Sequence, residues 1–343
     1  MDSHIIRRPL TPGRVLKVSS ILGVSLAVTV IISLMLGTAN VSLEDVLRMF
    51  FHGSQVKESA RLIVLKIRLP RIFLAGFTGF SLSLGGLVFQ ALLRNPLADP
   101  FVLGVSSGAA FGAVMGIIFG VGFSIGVPLF SFCGALLTIY LVLTISRRKM
   151  GVESATAILA GVIVNAFFTA IIMFFIATSS EDRLHSMLFW LYGDLSQSQI
   201  AYSGIIAPVA FFGFALLYSF SRHLNLLAAG EEAALHLGVN VERAKFICFI
   251  TVSLMVGLVV SFSGLIGFVG LIVPHLSRMI LGSDHRLLMP VSALGGALFL
   301  IVADTAARTV ISPSELPVGV ITAFLGAPFF IYLLKTRGSR WTR

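Results

Sequence analysis

The chain has 343 residues, of which 57% are hydrophobic and only 12% are charged, and its mean hydropathy is +0.98. A soluble domain carries about 25% charged residues, so this composition excludes a cytosolic enzyme, and its high hydrophobicity excludes a disordered chain. The two cysteines, Cys133 and Cys248, lie in apolar runs, which argues against a disulfide-stapled secreted domain and against a cysteine zinc site. The composition therefore predicts an all-α, polytopic membrane protein.

Apolar segments long enough to cross a bilayer predict about ten transmembrane helices. The predicted spans are residues 16–37, 69–92, 101–121, 127–146, 154–177, 199–220, 244–264, 267–281, 287–307 and 317–334. The basic stretch before the first span is also typical of a signal peptide. The apolar run of that span is too long for one, however, and no clear cleavage site follows, so we expect an uncleaved helix. The seventh and eighth spans run almost continuously, and only Gly264, Gly267, Gly270 and Pro274 indicate a reversal. One long helix there would give nine spans and place the chain termini on opposite sides.

The charge distribution favours ten spans with both termini in the cytoplasm. With this topology most of the 25 Lys and Arg residues lie inside, as the positive-inside rule requires. We therefore predict a single transmembrane domain over residues 1–343, with cytoplasmic tails at 1–15 and 335–343 and a cytoplasmic loop at 222–243. Basic residues predicted to lie outside are concentrated in residues 48–71 and need a separate cause. No segment interleaves basic and aromatic residues on a polar face, so we expect no nucleic-acid partner.

Two arginines, Arg68 and Arg71, flank Leu69-Pro70 at the outer mouth of the second span. Arginines often anchor a helix end at the lipid interface, but these two lie on the side that the topology rule disfavours. Because guanidinium groups pair well with carboxylates, the pattern favours docking of an acidic protein partner. Arg308 is predicted on the same side, where docking and a helical pair with Asp304 are equally good interpretations.

A short inner loop, Arg94-Asn95-Pro96-Leu97-Ala98-Asp99-Pro100, follows the second span. Its two prolines forbid continuation of the helix and force the preceding residues into extended conformations. The residues by themselves favour a rigid turn. The alternative is a constriction at the cytoplasmic end of a pathway, with Asn95 and Leu97 as gate residues.

The loop at 222–243 contains a short predicted helix that begins at Glu231 and Glu232, where negative charge suits the helix dipole, and ends at Gly238. Its apolar side is formed by Ala234, Leu235 and Leu237. Such a helix is too short to span a bilayer, which favours docking to a cytoplasmic partner. The alternative is a helix that lies on the lipid surface.

The chain lacks the motifs that would give it chemistry of its own. It has no G-x-x-x-x-G-K-[ST] phosphate loop, no H-E-x-x-H site and no nucleophile elbow, so we expect no metal, no cofactor and no enzyme activity. Asp304 is nearly the only carboxylate in the predicted spans, whereas proton- or sodium-coupled carriers usually need buried acids near the midplane. A transport pathway without an energy source of its own indicates that a different protein chain supplies the energy. A stand-alone secondary transporter or channel is the alternative.

Several motifs occur in one order over about residues 60–335. They are Arg68-Leu69-Pro70-Arg71, Asn95-Pro96-Leu97-Ala98-Asp99-Pro100, Gly230–Gly238, Gly264–His275, Asp284-His285-Arg286 and Glu315-Leu316-Pro317-Val318-Gly319. Together they resemble the permeases of bacterial type II ATP-binding-cassette (ABC) importers for iron complexes, haem and cobalamin. The resemblance implies a ten-span subunit in the inner membrane that pairs with a second permease copy around a central pathway. It also implies two cytoplasmic ATPase subunits and one extracytoplasmic substrate-binding protein, with an iron chelate of the siderophore type as the favoured substrate.

The same resemblance implies roles for individual residues. The residues that dock the binding protein would be Arg68, Arg71 and Arg308. The cytoplasmic gate would be formed by Asn95 and Leu97, with a second part at Ser154 and Ala155, where one hydroxyl that the family pattern expects is absent. The ATPase-coupling residues would be Gly230, Glu231, Ala234, Leu237 and Gly238. ATP hydrolysis would take place on the partner chains.

Overall fold

The computed structural model describes residues 11–37, 39, 41–51, 57–148, 151–152 and 154–337. In chain order the α-helices are α1 (Pro12–Met35), α2 (Leu43–Phe51), α3 (Glu58–Leu62), α4 (Leu69–Leu92), α5 (Val105–Ile118), α6 (Gly126–Ser146), α7 (Ser154–Thr178), α8 (Glu181–Leu191), α9 (Ile200–Ser219), α10 (Ser221–Ala229), α11 (Glu231–His236), α12 (Val241–Ser263), α13 (Val269–Leu281), α14 (His285–Thr309) and α15 (Val318–Arg337). A π-helical turn, Ile63–Arg68, joins α3 to α4, and a 3₁₀ turn, Pro100–Leu103, precedes α5. Two strands, β1 (Arg147–Arg148) and β2 (Gly151–Val152), pair antiparallel between α6 and α7.

Each of the ten predicted spans corresponds to a helix. Among the described residues, seven helical segments are long and apolar enough to cross a membrane, and the shorter apolar helices α5, α13 and α15 occupy the remaining predicted positions. The all-α fold class and the ten-span arrangement are therefore confirmed. The nine-span alternative is wrong, because α12 ends at Ser263 and α13 begins only at Val269. The two ends of the bundle are called outer and inner according to the predicted topology, in which α4 begins outside.

The structure adds elements that hydropathy did not predict. Helices α2 and α8 each carry two acidic residues in the first turn, which favours helix formation, but with 9 and 11 residues they are too short to cross a bilayer. Helix α1 starts earlier than predicted, because the Thr11 side chain accepts a hydrogen bond from the Arg14 backbone N–H (3.3 Å) and Pro12 suits the first turn. The predicted loop at 222–243 is largely helical, since α10, α11 and the start of α12 occupy it.

Helix α4 lies at the centre of the bundle. Most of its side chains are buried, and it packs against α9, α12, α13 and α14. Two glycine pairs allow the closest approaches, Gly79 to Gly296 of α14 and Gly86 to Gly270 of α13. A Cβ atom on Gly79 or Gly86 would collide with the backbone of its partner. Small residues of this kind let helices pack tightly in lipid, where hydrophobic burial does not drive them together.

The break between α12 and α13 has a specific anchor. Gly264 (φ 68°) and Phe268 (φ 69°) both adopt left-handed conformations, which a residue with a side chain rarely does. The Phe268 ring packs directly over Gly326 of α15 and joins a cluster that contains Ile272 and Phe330. Packing of the ring against α15 therefore compensates for the backbone strain at this turn.

We expect Gly86→Ala to destabilise the folded protein by about 1–3 kcal/mol, because the new methyl group must displace the Gly270 backbone. Gly204→Ala is the matched control, since no atom lies within 4 Å of a Cβ atom at that position in α9. The measurement is the unfolding temperature of both purified variants in detergent. Equal unfolding temperatures would contradict the close packing of α4 on α13.

Candidate docking, gating and coupling sites

A buried ionic cluster lies at the outer end of the bundle, where α4 and α14 meet. The Arg71 guanidinium donates from Nε to Asp304 Oδ1 (2.7 Å) and from Nη1 to Glu315 Oε2 (2.5 Å). Arg308 donates from Nε to the other Asp304 oxygen (3.1 Å) and from Nη2 to Ser33 Oγ (2.9 Å) on α1. Asp304 is fully buried and shared by two arginines, so the cluster joins α1, α4, α14 and the turn before α15.

Arg68 binds backbone carbonyls instead of a carboxylate. Its Nη1 donates to the carbonyl oxygens of Leu34 (2.6 Å) and Met35 (2.9 Å), and its Nη2 donates to the carbonyl oxygen of Ala39. The last carbonyls of a helix have no partner within that helix and carry partial negative charge. Arg68 therefore caps the C-terminal end of α1 and ties it to the start of α4.

The structure brings together the three arginines that were predicted to dock a binding protein. Their side chains are buried, however, and bind groups within the protein. Arg68, Arg71 and Arg308 are only 3–4% exposed. For Arg308, the helical pair with Asp304 is the arrangement present. In the ionic cluster, only the Glu315 side chain is substantially exposed, at 41%. Sequence reasoning included Glu315 in a motif but gave it no role.

The loop after α4 is a rigid turn, as the residues alone favoured. Asn95 Oδ1 accepts a hydrogen bond from the Leu97 N–H (2.9 Å), and the Asn95 N–H donates to the Gln90 carbonyl (3.1 Å). Asp99 Oδ1 accepts from the Phe101 N–H (2.9 Å) and caps the 3₁₀ turn. The Leu97 side chain is exposed at this inner end, where a gate residue would have to lie.

The second predicted gate position is only partly described. Helix α7 begins at Ser154, so both Ser154 and Ala155 lie in its first turn. Their side chains lie outside the described residues, and their gate role stays a prediction.

The predicted coupling residues lie on α11 and at its two ends, at the inner end of the bundle. Gly230 (φ 140°) separates α10 from α11, and Gly238 (φ 81°) follows the end of α11, as the sequence predicted. Both positions have conformations that favour glycine. Glu231 pairs with Lys245 Nζ on α12 (2.7 Å), so its carboxylate holds α11 against the bundle.

The apolar residues of this segment divide between two faces. Ala234 is fully buried, so it fits α11 against the bundle and offers no contact to a partner, contrary to the sequence interpretation. Leu235 and Leu237 are 58% and 67% exposed. Besides polar residues such as Glu232 and His236, this exposed apolar pair remains available to a partner, and Leu235 was missing from the coupling residues that the family resemblance implied.

Desolvation raises the pKa of Asp99 to about 6, although the hydrogen bond from Phe101 opposes the shift. A carboxyl whose pKa is raised on folding stabilises the folded state at low pH and loses that contribution as pH rises. We expect Asp99→Asn, which keeps the cap, to gain stability over the wild type between about pH 4 and pH 6, from the ordinary to the raised pKa of the carboxyl, and to gain little more above that range. Unfolding temperatures from about pH 4 to pH 8 provide the test, and a pH-independent difference would contradict the raised pKa of Asp99.

We expect Asp304→Asn to lower the free energy of unfolding by about 3–5 kcal/mol, because Arg71 and Arg308 would lose the buried charge that they share. The control is Glu44→Gln, which removes an exposed pair with Arg48 and should cost less than about 1 kcal/mol. The measurement is thermal unfolding in detergent. Similar losses in the two variants would show that the cluster is not buried.

Known proteins match this architecture over most of its length. A solved structure described as an inward-facing conformation of a metal-chelate type ABC transporter superposes with a TM-score of 0.83 at 33% identity, covering 93% of this chain and 99% of that one. The fold is therefore that of an ABC importer permease.

Two relatives are similar in sequence over comparable lengths. The cobalamin import system permease of Halobacterium salinarum is 45% identical over 285 residues, which are 83% of this chain and 76% of the relative. The hemin transport system permease of Yersinia pestis is 38% identical over 313 residues, which are 89% and 92% of the two chains. Residues 25–336 match the FecCD transport family, and this chain belongs to that family.

Proposed function

We propose that this chain is the multi-pass membrane permease subunit of an ABC importer that takes up a metal chelate. The observation that carries the proposal is the exposed pair Leu235, on α11, and Leu237, directly after it, at the inner end of a bundle with an importer permease fold. Helix α11 has six residues, too few to cross a membrane, and Glu231 fixes it to α12. An apolar surface held in this way suits insertion into a groove of a partner protein.

The partner at the inner end would be an ABC ATPase, present in two copies, one for each of two permease chains. Gly230, Glu231 and Gly238 would shape the coupling segment, Ala234 would fit it against the bundle, and Leu237 would contact the ATPase, together with the neighbouring Leu235. ATP-driven closure of the ATPases would shift the pathway between outward-open and inward-open populations. With this arrangement both termini lie in the cytoplasm.

The partner at the outer end would be an extracytoplasmic substrate-binding protein with acidic surface residues. In the structure Glu315 covers Arg71, and its carboxylate is the most accessible part of the ionic cluster. A carboxylate of the binding protein could take the place of Glu315 on Arg71. Arg68 and Arg308 would support that contact by holding α1 and α14 in place.

The substrate would be an iron chelate of the siderophore type, with haem or cobalamin as the alternative. Relatives named for cobalamin, hemin and iron(III) dicitrate transport support this class. A second permease copy would cover part of the apolar face that α7 and α15 leave exposed, which includes Phe167 and Phe324. Gating would involve Asn95 and Leu97, with a second part of the gate near Ser154 and Ala155.

A stand-alone carrier is the competing function, and the state of Asp304 speaks against it. A proton-coupled carrier needs an acid that can gain and lose a proton within the pathway. Asp304 is instead held between Arg71 and Arg308 near the outer end of α14.

The test is uptake into proteoliposomes that contain the permease, its ATPase and its binding protein, with ferric siderophore, haem and cobalamin as substrates. We expect ATP-dependent uptake of one of these, and the double variant Leu235→Ser/Leu237→Ser should lower it at least about tenfold, since central apolar contacts dominate binding energy. The control Leu47→Ser changes a similarly exposed leucine on α2 and should leave uptake unchanged. Uptake that needs a proton gradient but no ATP would overturn the proposal.

A further inference from the structure

A compact hydrogen-bonded link connects α10 to the start of α14 at the inner end. Asn225 of α10 donates from Nδ2 to Asp284 Oδ1 (2.9 Å). Its Oδ1 lies 2.8 Å from the His285 backbone nitrogen and 2.7 Å from His285 Nδ1. His285 is buried at the first residue of α14. One amide side chain therefore contacts a carboxylate, a backbone N–H and an imidazole ring.

The donor and acceptor roles in this link follow from the chemistry of its members. The Asp284 carboxylate can only accept, so the nitrogen of the Asn225 amide must face it. The oxygen of Asn225 must then accept from the His285 backbone N–H, and the Nδ1 of the imidazole must carry its hydrogen to serve as the second donor. A hydrogen bond from Arg286, with a smaller contribution from Asn225, lowers the pKa of Asp284 to about 2, which keeps this acceptor charged near neutral pH.

The other contacts of α10 are of a different kind. Leu224 and Leu227 are buried, and α10 packs against α4 and α14 through apolar surface. Apolar contacts have no direction, so they allow one helix to slide over another at little cost. Separating the Asn225 link would leave polar groups without partners in a site that is half-buried at Asn225 and Asp284 and buried at His285, which is less favourable.

On the α14 side, the link is connected to the centre of the bundle through α14 itself. Asp284 caps the N-terminus of α14 by accepting from the Arg286 N–H (3.0 Å), so it belongs to the end of that helix. Helix α14 in turn contacts α4 through Gly296 and Gly79. A displacement of α10 is therefore resisted by hydrogen bonds to α14, and α14 is itself packed along α4.

We propose that Asn225 and His285 form the mechanical link that passes movement of the coupling helices α10 and α11 to α14 and, through it, to α4. The inference rests on the proposed function, because it assumes an ATPase that moves α11. Both residues are positioning residues: neither touches substrate or nucleotide. Their role is to convert ATPase movement into movement of the pathway.

The test compares uptake per ATP hydrolysed for the complete transporter with its ATPase and binding protein in proteoliposomes. Asn225→Asp keeps the size of the side chain but places a second carboxylate oxygen against Asp284, and we expect about a tenfold fall in uptake per ATP while hydrolysis continues. The second variant, His285→Phe, breaks the link from the side of α14 and should lower uptake per ATP as well. His223→Asn changes an exposed residue on the same helix and serves as the control.

Each outcome decides the inference. A fall in uptake per ATP in both variants supports it, whereas an unchanged value in either variant overturns it. If Asn225→Asp does not fold, His285→Phe decides instead, because it keeps the ring shape and the backbone bond but removes the ring donor. A lower uptake per ATP in that variant supports the link and an unchanged value overturns it. Failure of the wild-type complex to couple uptake to ATP would instead contradict the proposed function.

Discussion

The backbones of α4 and α14 touch at Gly79 and Gly296, and this contact sets the positions of both ends of the bundle. These two helices carry both polar sites: Arg71 and Asp304 meet at the outer end, and His285 begins α14 at the inner end. Because glycine lets the backbones touch, the helices cannot separate at their middle without losing extensive packing. The inferred path from the coupling helices to the outer cluster therefore runs along packed helices and needs no flexible segment.

The outer cluster illustrates how a buried charge determines structure. Burial of Arg71 or Arg308 alone would carry a large desolvation cost, which the shared carboxylate of Asp304 and the hydrogen bonds to Ser33 and Glu315 offset. Such a cluster tolerates only one arrangement of α1, α4 and α14. The arginines thus fix the outer end of the bundle, and Glu315 is the member that a partner from outside could replace most easily.

The inner end differs from the outer end in its chemistry. There two exposed leucines, Leu235 and Leu237, lie among polar residues such as Glu232 and His236, and Asn225 and His285 form the hydrogen-bonded link between α10 and α14. An exposed apolar pair together with a hydrogen-bonded connection suits an element that must bind a moving partner and transmit its displacement. In the proposed importer, ATP binding acts on the surface and the connection carries the movement inward.

The amino-acid sequence was enough to predict the apolar spans, the turn at Asn95 and the glycine that follows α11, and it favoured the break near Gly264 over one long helix, an alternative that the structure excludes. Each of these depends on local requirements: the apolar length that a bilayer demands, and the backbone conformations that proline and glycine allow. Tertiary structure alone decided that Arg71 is buried, because its partner Asp304 is 233 residues away in the chain. It also decided which side of α11 faces outward. A helix of six residues is too short for its apolar pattern to distinguish Ala234 from Leu235, and only packing against α12 makes that choice.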